Sequence, residues 1–330
     1  MKHLAVFALT ATLAGCGRYA EFTLPQDGFA ARSGTWKVTA AAGPLIPRGA
    51  NGEWDAVDAL NPSVALRDGV YYNLYSGFDG KTWHSGFATS PDGARWTKRG
   101  RVLSPDPATW EGNYIAANGS LLGHPKFQYW YQAGEAPRIG LARSTDGIHW
   151  SKHGAPVLED GPRGSWDERA VADPDVLFLD GVYYMYYLGS DRAQRQRLGV
   201  AVSADGIVWT KLRGNPILDL GAAGAFDENG LGEPAVWRSG GWYWMLYTGR
   251  SRTEQRAIGL AQSRDGVSWR KTGTGAFFRG REPWNSQVVC DPTVLEHNGI
   301  VRVWYGGGDV AHPAERIHGQ IGYFEMAPTP

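Results

Sequence analysis

Two things are scarce in this sequence, cysteine and net charge. There are 2 cysteines in 330 residues, Cys16 and Cys290. No Cys/His cluster has the spacing of a zinc site, which excludes a structural zinc. Lysine and arginine number 33, and aspartate and glutamate also number 33. A chain so balanced has no electrostatic footprint for nucleic acid or an anionic surface. Long apolar runs are scarce too. The early run from Leu4 to Leu13 is too short to cross a bilayer as a mature helix.

Glycine is abundant, at 45 residues, and aromatics make up 12% of the chain. That composition suits a β-rich fold with many turns. The first residues read as an export signal rather than as fold. Lys2 supplies the positive end, Leu4 to Leu13 the apolar core, and Leu13-Ala14-Gly15-Cys16 follows. This last stretch resembles a bacterial lipobox, whose cysteine is acylated and becomes the new N-terminus. The expectation is a signal peptide over residues 1–15, lipid on Cys16 and a tether over 16–33. The mature protein is then exported and anchored on the periplasmic or cell-surface side of a membrane. With Cys16 taken by lipid, Cys290 has no partner and is expected as a buried, inert thiol.

Five aromatics, Trp54, Trp110, Trp166, Phe226 and Trp284, open units with a period of about 55–60 residues. That length suits a four-stranded propeller blade. Second strands align as GVYYNLYSG from Gly69, FQYWYQAG from Phe127, GVYYMYYLG from Gly181, GWYWMLYTG from Gly241 and IVRVWYGGG from Ile300. Each stops at glycine. A Ser-x-Asp-Gly-x-x-Trp turn closes the third strand four times, at Trp96, Trp150, Trp209 and Trp269. The fifth unit lacks this ending. Trp36 is followed by Pro44-Leu45-Ile46 much as Trp209 is followed by Pro216-Ile217-Leu218. The fold is therefore expected to be all-β, a single five-bladed β-propeller over residues 34–330. Residues 34–48 would complete the last blade as its outer strand, leaving no unpaired strand between the ends.

First strands line the axis of a propeller. The start of strand 1 and the loop between strands 2 and 3 share one mouth. Seven residues after the opening aromatic stand Asn61, Asp173, Glu233 and Asp291, and Asn118 stands one place later in its unit. All but Asn118 precede a proline. Three carboxyls and two amides thus face one axial pocket. Crowded carboxylates repel, which raises some pKa values and separates acid from base roles. Cleaving a glycosidic bond needs such a pair. A bare strand cap would not need Glu in one blade and Asn in two. The strand 2–3 loops place His84, Arg138, Arg197, Arg256 and Gln320 at the same mouth, the arginines suited to hydroxyls or a carboxylated sugar. Trp83 and Phe78 are candidates for stacking on a sugar face.

The repeats, the Ala-Asp-Pro and Gly-Glu-Pro positions and the IGxAxSxDGxxW strand resemble five-bladed propeller glycosidases of glycoside hydrolase families 43 and 32. The resemblance covers about the whole mature chain. It implies a hydrolase of furanosides or related glycans with no cofactor, although a histidine approaches an axial cation in some family 43 members. Here His318 would approach a calcium. It also implies residue roles. Asp173 matches the third-blade Asp that tunes pKa and holds the sugar, and Glu233 the fourth-blade general acid. The first-blade base position holds Asn61, which cannot act as a base. Asp291 would serve instead, with Asp58 the next candidate. Asp173 and Asp291 should raise the pKa of Glu233, while Asp173 stays ionised. Two other functions compete. One is a non-catalytic carbohydrate-binding lipoprotein. The other is a glycoside phosphorylase, with phosphate held by the arginine loops. The expected partners are carbohydrate and the membrane, with no nucleic acid, and the protein is expected to be a monomer.

Overall fold

The computed structural model describes residues 18–26, 35–297 and 299–329. Two short strands come first, β1 (Tyr19–Ala20) and β2 (Trp36–Ala40). Blade 1 holds β3 (Asp58–Arg67), β4 (Val70–Phe78), β5 (Trp83–Ser90) and β6 (Thr97–Leu103). Blade 2 holds β7 (Ala116–Leu122), β8 (Phe127–Ala133), β9 (Arg138–Ser144) and β10 (Ser151–Lys152). Blade 3 holds β11 (Ala170–Leu179), β12 (Val182–Ser190), β13 (Gln196–Ser203) and β14 (Thr210–Leu212). Blade 4 holds β15 (Gly230–Ser239), β16 (Trp242–Arg250), β17 (Arg256–Ser263) and β18 (Trp269–Lys271). Blade 5 adds β19 (Val288–His297), β20 (Ile300–Gly308) and β21 (Gln320–Pro328). Its fourth strand is β2, antiparallel to β21 from Trp36↔Pro328 to Ala40↔Phe324. Ile46 then bridges Ile321. The ring is closed by the N-terminal strand.

One detail of that closure differs from the sequence expectation. Val38, paired with Met326, occupies the place that Trp209 takes opposite the end of β13. Trp36 lies two residues further out. Its ring packs edge-on against Trp237 and Trp244 of blade 4, at 6.0 and 5.4 Å between centroids. The segment expected as a tether is also part of the ring where it is described. β1 pairs in parallel with β14, and Leu24 is buried against the blade 4 turn at Gly266.

Four blades are locked inside by a buried acid that directly follows the opening aromatic. Asp55 accepts Tyr75 Oη and Lys98 Nζ at 2.9 and 2.7 Å. Glu111 with Tyr131 and Lys152, Asp167 with Tyr187 and Lys211, and Asp227 with Tyr247 and Lys271 repeat the arrangement. In those blades the lysine pairs across the sheet with an alanine, as in Lys211↔Ala201. In blade 5 Ala40 stands opposite Phe324, and the acid is replaced by Asn285, which donates to Tyr305 Oη at 3.0 Å. Where the lysine is lost the charge is lost with it, because an unpaired buried carboxylate is costly. The aromatic itself lies over the strand-ending glycines. A Cβ on Gly77 or Gly86 would stand 2.2 or 1.9 Å from the Trp54 ring.

Neighbouring blades are bonded near the axis. Ser63 Oγ accepts the Leu121 N–H at 2.7 Å, Ser120 Oγ the Val176 N–H at 2.9 Å and Asp175 Oδ2 the Val236 N–H at 2.8 Å. Thr293 Oγ1 accepts the Val64 N–H at 3.4 Å, and blade 4 has Ala235 at the equivalent position. Burial pushes the Asp175 carboxyl up to about 7. Between the ordinary value of 3.8 and about 7 the folded chain therefore holds the extra proton. Its contribution to stability is present in acid and lost as pH rises through 7. Asp175→Asn keeps an acceptor for Val236 and removes the charge. The variant should melt several degrees above the parent at about pH 8, with the gap shrinking as pH falls and closing below about pH 4. An equal gap at about pH 8 and below about pH 4 would exclude the charge as the cause.

Candidate active site

The five axial positions share an unusual backbone. Asn61, Asn118, Asp173, Glu233 and Asp291 have φ of 47, 48, 48, 44 and 52°. Each sits in a register shift of its first strand, as between Leu60 and Ser63 or between Gly232 and Ala235. These are β-bulges with a left-handed residue that is not glycine, a costly geometry concentrated at functional sites. In all but Asn118 the next residue is a proline, which has no N–H to lose from the ladder. The bulge turns five polar side chains into one cavity of about 440 Å³, a volume typical of small-ligand sites.

Hydrogen bonds run from blade to blade around this ring. Asp291 Oδ2 accepts the Asn61 N–H at 3.2 Å and the Cys290 thiol at 3.1 Å. The Asp291 N–H donates to Thr248 Oγ1 at 3.1 Å. Asp173 accepts the Glu233 N–H and the Asn118 side chain. Asn118 is itself held by Ser76, which accepts its N–H and donates to its Oδ1. Glu233 Oε2 is buried and has no partner.

Burial pushes Asp173 well above the usual carboxylate range, and repulsion from Glu233 and Asp291 adds to it. Asp173 was expected to stay ionised. Desolvation on the floor of the cavity works in the other direction. Asp291 is pushed up to about 7, by burial first and by Glu233 second, against the Cys290 thiol and Arg256. Burial works against the Arg256 charge, but attraction to Cys290, Glu233 and Asp291 outweighs it. The guanidinium also donates to the carbonyls of His312 and Pro313 at 3.0 and 2.8 Å, tying the blade 5 loop to the site. Cys290 is a buried thiol, as expected, and it touches the site.

Of the loop residues expected at the mouth, Arg256 and Trp83 line the cavity. His84 bonds Ser104, Arg138 bonds Asp160 and Arg197 bonds Asp191, all away from it. The third-strand glycines explain this. Trp83, Pro137, Gln196 and Arg256 stand three residues before Gly86, Gly140, Gly199 and Gly259, and all four line the cavity. His84, Arg138, Arg197 and Gln320 stand one residue later, and one step in a strand reverses the face. Phe78 is buried beneath Trp83, stacked at 4.9 Å. Asp58 is not near the chemistry. Its carboxyl accepts the Arg316 and Gly319 N–H groups at 2.6 and 2.7 Å and pins the last loop. His318 bonds Asp309 at 2.7 Å and does not line the cavity. Among the described residues no group of three or more His, Cys, Asp or Glu side chains has metal-holding geometry. Cys16 lies outside the described residues. Arg169 and Arg250, which also line the cavity, had no repeated signal in the sequence.

Comparison with known proteins agrees with this architecture. The model of the glycosyl hydrolases family 32 N-terminal domain matches residues 124–281. An uncharacterized protein of Mycobacterium tuberculosis is 28% identical over 46% of this chain and 52% of its own. The 1,2-beta-oligomannan phosphorylase of a Thermoanaerobacter species is 29% identical over 36% of this chain and 42% of its own. The chain thus spans about half the length of the curated relatives it matches. Among solved structures, one of the GH130 family is similar with a TM-score of 0.70, 18% identity and coverage of 94% and 99% of the two chains. It is described as belonging to mannoside phosphorylases that contain glycoside hydrolases targeting beta-1,2 mannosidic linkages in Candida mannan. A family 117 glycoside hydrolase of Zobellia galactanivorans is similar with a TM-score of 0.65, 16% identity and coverage of 89% and 90%. The chain has the fold of the five-bladed propeller glycosidases, and its match to the family 32 model runs from blade 2 to the end of blade 4.

Proposed function

We propose that the protein cleaves furanosides or related glycans by carboxylate acid/base chemistry in the axial cavity. The observation that carries this reading is the left-handed bulge repeated in all five first strands, which aims three carboxyls at one space. Glu233 Oε2 is the carboxyl oxygen left without a partner there. It is the atom free to meet a glycosidic oxygen and give it a proton. Asp291 is held in one orientation by Asn61 and Cys290 and takes a proton from the attacking water. Asp173, pushed well above the usual range by burial and its neighbours, offers its proton to a sugar hydroxyl.

One observation favours a second reading, phosphorolysis. Arg169 forms no ion pair among the described residues, and Arg250, paired through Nη1 with Glu254 at 3.5 Å, leaves its Nε buried without a partner. Both line the cavity beside Ser190 and Gln196, and guanidinium groups match phosphate well. The phosphorylase relative supports the same reading. Incubation with a panel of furanosides and mannosides, with and without inorganic phosphate, separates the cases. Hydrolysis releases reducing sugar in both. Phosphorolysis yields sugar 1-phosphate only when phosphate is present. Binding without turnover in either would overturn the enzyme and leave a carbohydrate-binding protein.

The same proposal includes export and an acyl anchor on Cys16, supported by Leu13-Ala14-Gly15-Cys16.

A further inference from the structure

The strand order sorts the loops onto two faces. Strand 1–2 hairpins close at pairs such as Arg67↔Val70 and Leu179↔Val182. The end of strand 3 lies beside the start of strand 2, as in Tyr183↔Ser203 and Tyr243↔Ser263. All hairpins between strands 1 and 2, and all Ser-x-Asp-Gly turns, therefore share one face. The cavity opens on the other.

Large exposed apolar side chains follow this division. Among the described residues they are Tyr114, Ile148, Phe178, Val208 and Ile300. Tyr114 stands at the cavity. The other four stand on the opposite face. Ile148 and Val208, 54% and 70% exposed, lie in the turns of blades 2 and 3. Phe178 is near the end of β11, and Ile300 opens β20. A single exposed leucine-like residue means nothing. Four on one face, and only Tyr114 on the other, is a division that solvent alone does not produce.

The N-terminal segment comes to the same face. The Leu24 N–H donates to Asp265 O in the blade 4 turn at 2.8 Å, and Tyr243 Oη donates to the Pro25 carbonyl. The Arg18 carbonyl accepts the Lys211 N–H at 2.8 Å, just past the blade 3 turn that carries Val208. The described chain thus enters the ring at Arg18, beside the apolar face and away from the cavity.

We propose that this face rests on a lipid bilayer, with Ile148, Phe178 and Val208 entering the interface and the cavity opening away from the membrane. The inference rests on the acyl anchor proposed above. The contact is made by these apolar side chains and does not require anionic lipid.

The test uses the acylated full-length protein reconstituted in phosphatidylcholine vesicles. A fluorophore is placed on Ala204→Cys, in the blade 3 turn, or on Ala314→Cys, at the cavity rim. Cys290 is buried and stays unlabelled. A quencher carried in the lipid should quench the Ala204 probe at least about threefold more than the Ala314 probe, because interfacial side chains sit near the acyl boundary. In the double variant Ile148→Asp and Val208→Asp that difference should shrink by half or more with the lipid still attached. Both positions are exposed, and unchanged melting confirms the fold. Equal quenching of the two probes, or no change in the double variant, would overturn the proposal while leaving the anchor intact. Mass spectrometry showing an unmodified N-terminus would overturn the anchor and the face together.

Discussion

Glu233→Gln is expected to lower turnover by about 10²–10⁴-fold on a glycoside whose leaving group is a sugar alcohol. Loss of activity on an aryl glycoside with an acidic phenol should be far smaller, since that leaving group needs no proton. The amide keeps the shape of the carboxyl and fills the same bulge. Asp291→Asn should cripple both substrates, because activation of water is needed whatever leaves. The pH profile separates the roles further. Asp291 must be ionised to act, and its carboxyl is pushed up to about 7. The acid limb of the parent should therefore rise through about pH 7, and that limb should be absent from the residual activity of Asp291→Asn. Full activity of Asp291→Asn would show that another group takes the proton. If the parent binds sugar but shows neither hydrolysis nor phosphorolysis, the carbohydrate-binding reading wins.

Much of this site was legible, and the illegible part has a physical cause. The residue-before-proline spacing marked Asn61, Asp173, Glu233 and Asp291, because the motif repeats with changing side-chain chemistry. The left-handed backbone at those positions was not legible. Asn takes positive φ readily, but Glu rarely does, so nothing in Gly-Glu-Pro announces φ of 44° at Glu233. The loop arginines failed for a different reason. A strand reverses its side chain at every step, and without the third-strand glycine as a ruler Arg197 and Arg256 look equivalent. They point to opposite faces, since Arg256 aligns with Gln196. The blade locks were written in the sequence as an acid after the opening aromatic and a lysine soon after the turn. Each alone resembles ordinary surface charge, and only burial shows that Lys211 and Asp167 are a pair.

A chain lacking residues 17–48 should lose its closing strand and much of its stability. The deletion removes Trp36 from the blade 4 tryptophans and Ile46, which is 1% exposed, from beside Ile321. Burying two such side chains contributes about 3–6 kcal/mol, against a total stability of about 5–15 kcal/mol for a typical domain. It also bares β21 from Gln320 to Pro328, an unpaired edge nine residues long that can template aggregation. The melting temperature should fall by about 10 °C or more, with a larger insoluble fraction. Removing residues 17–34 alone keeps the closing strand and loses, among the described residues, the β1–β14 pairing and the packing of Phe22 and Leu24 on blades 3 and 4. That shorter deletion should lower melting by a few degrees and leave solubility unchanged. If the longer deletion cannot be purified, Trp36→Ala supplies the measurement, with an expected loss of about 2 kcal/mol in denaturant unfolding. Equal melting of the parent and the long deletion would mean that the edge of β21 is protected by something other than β2.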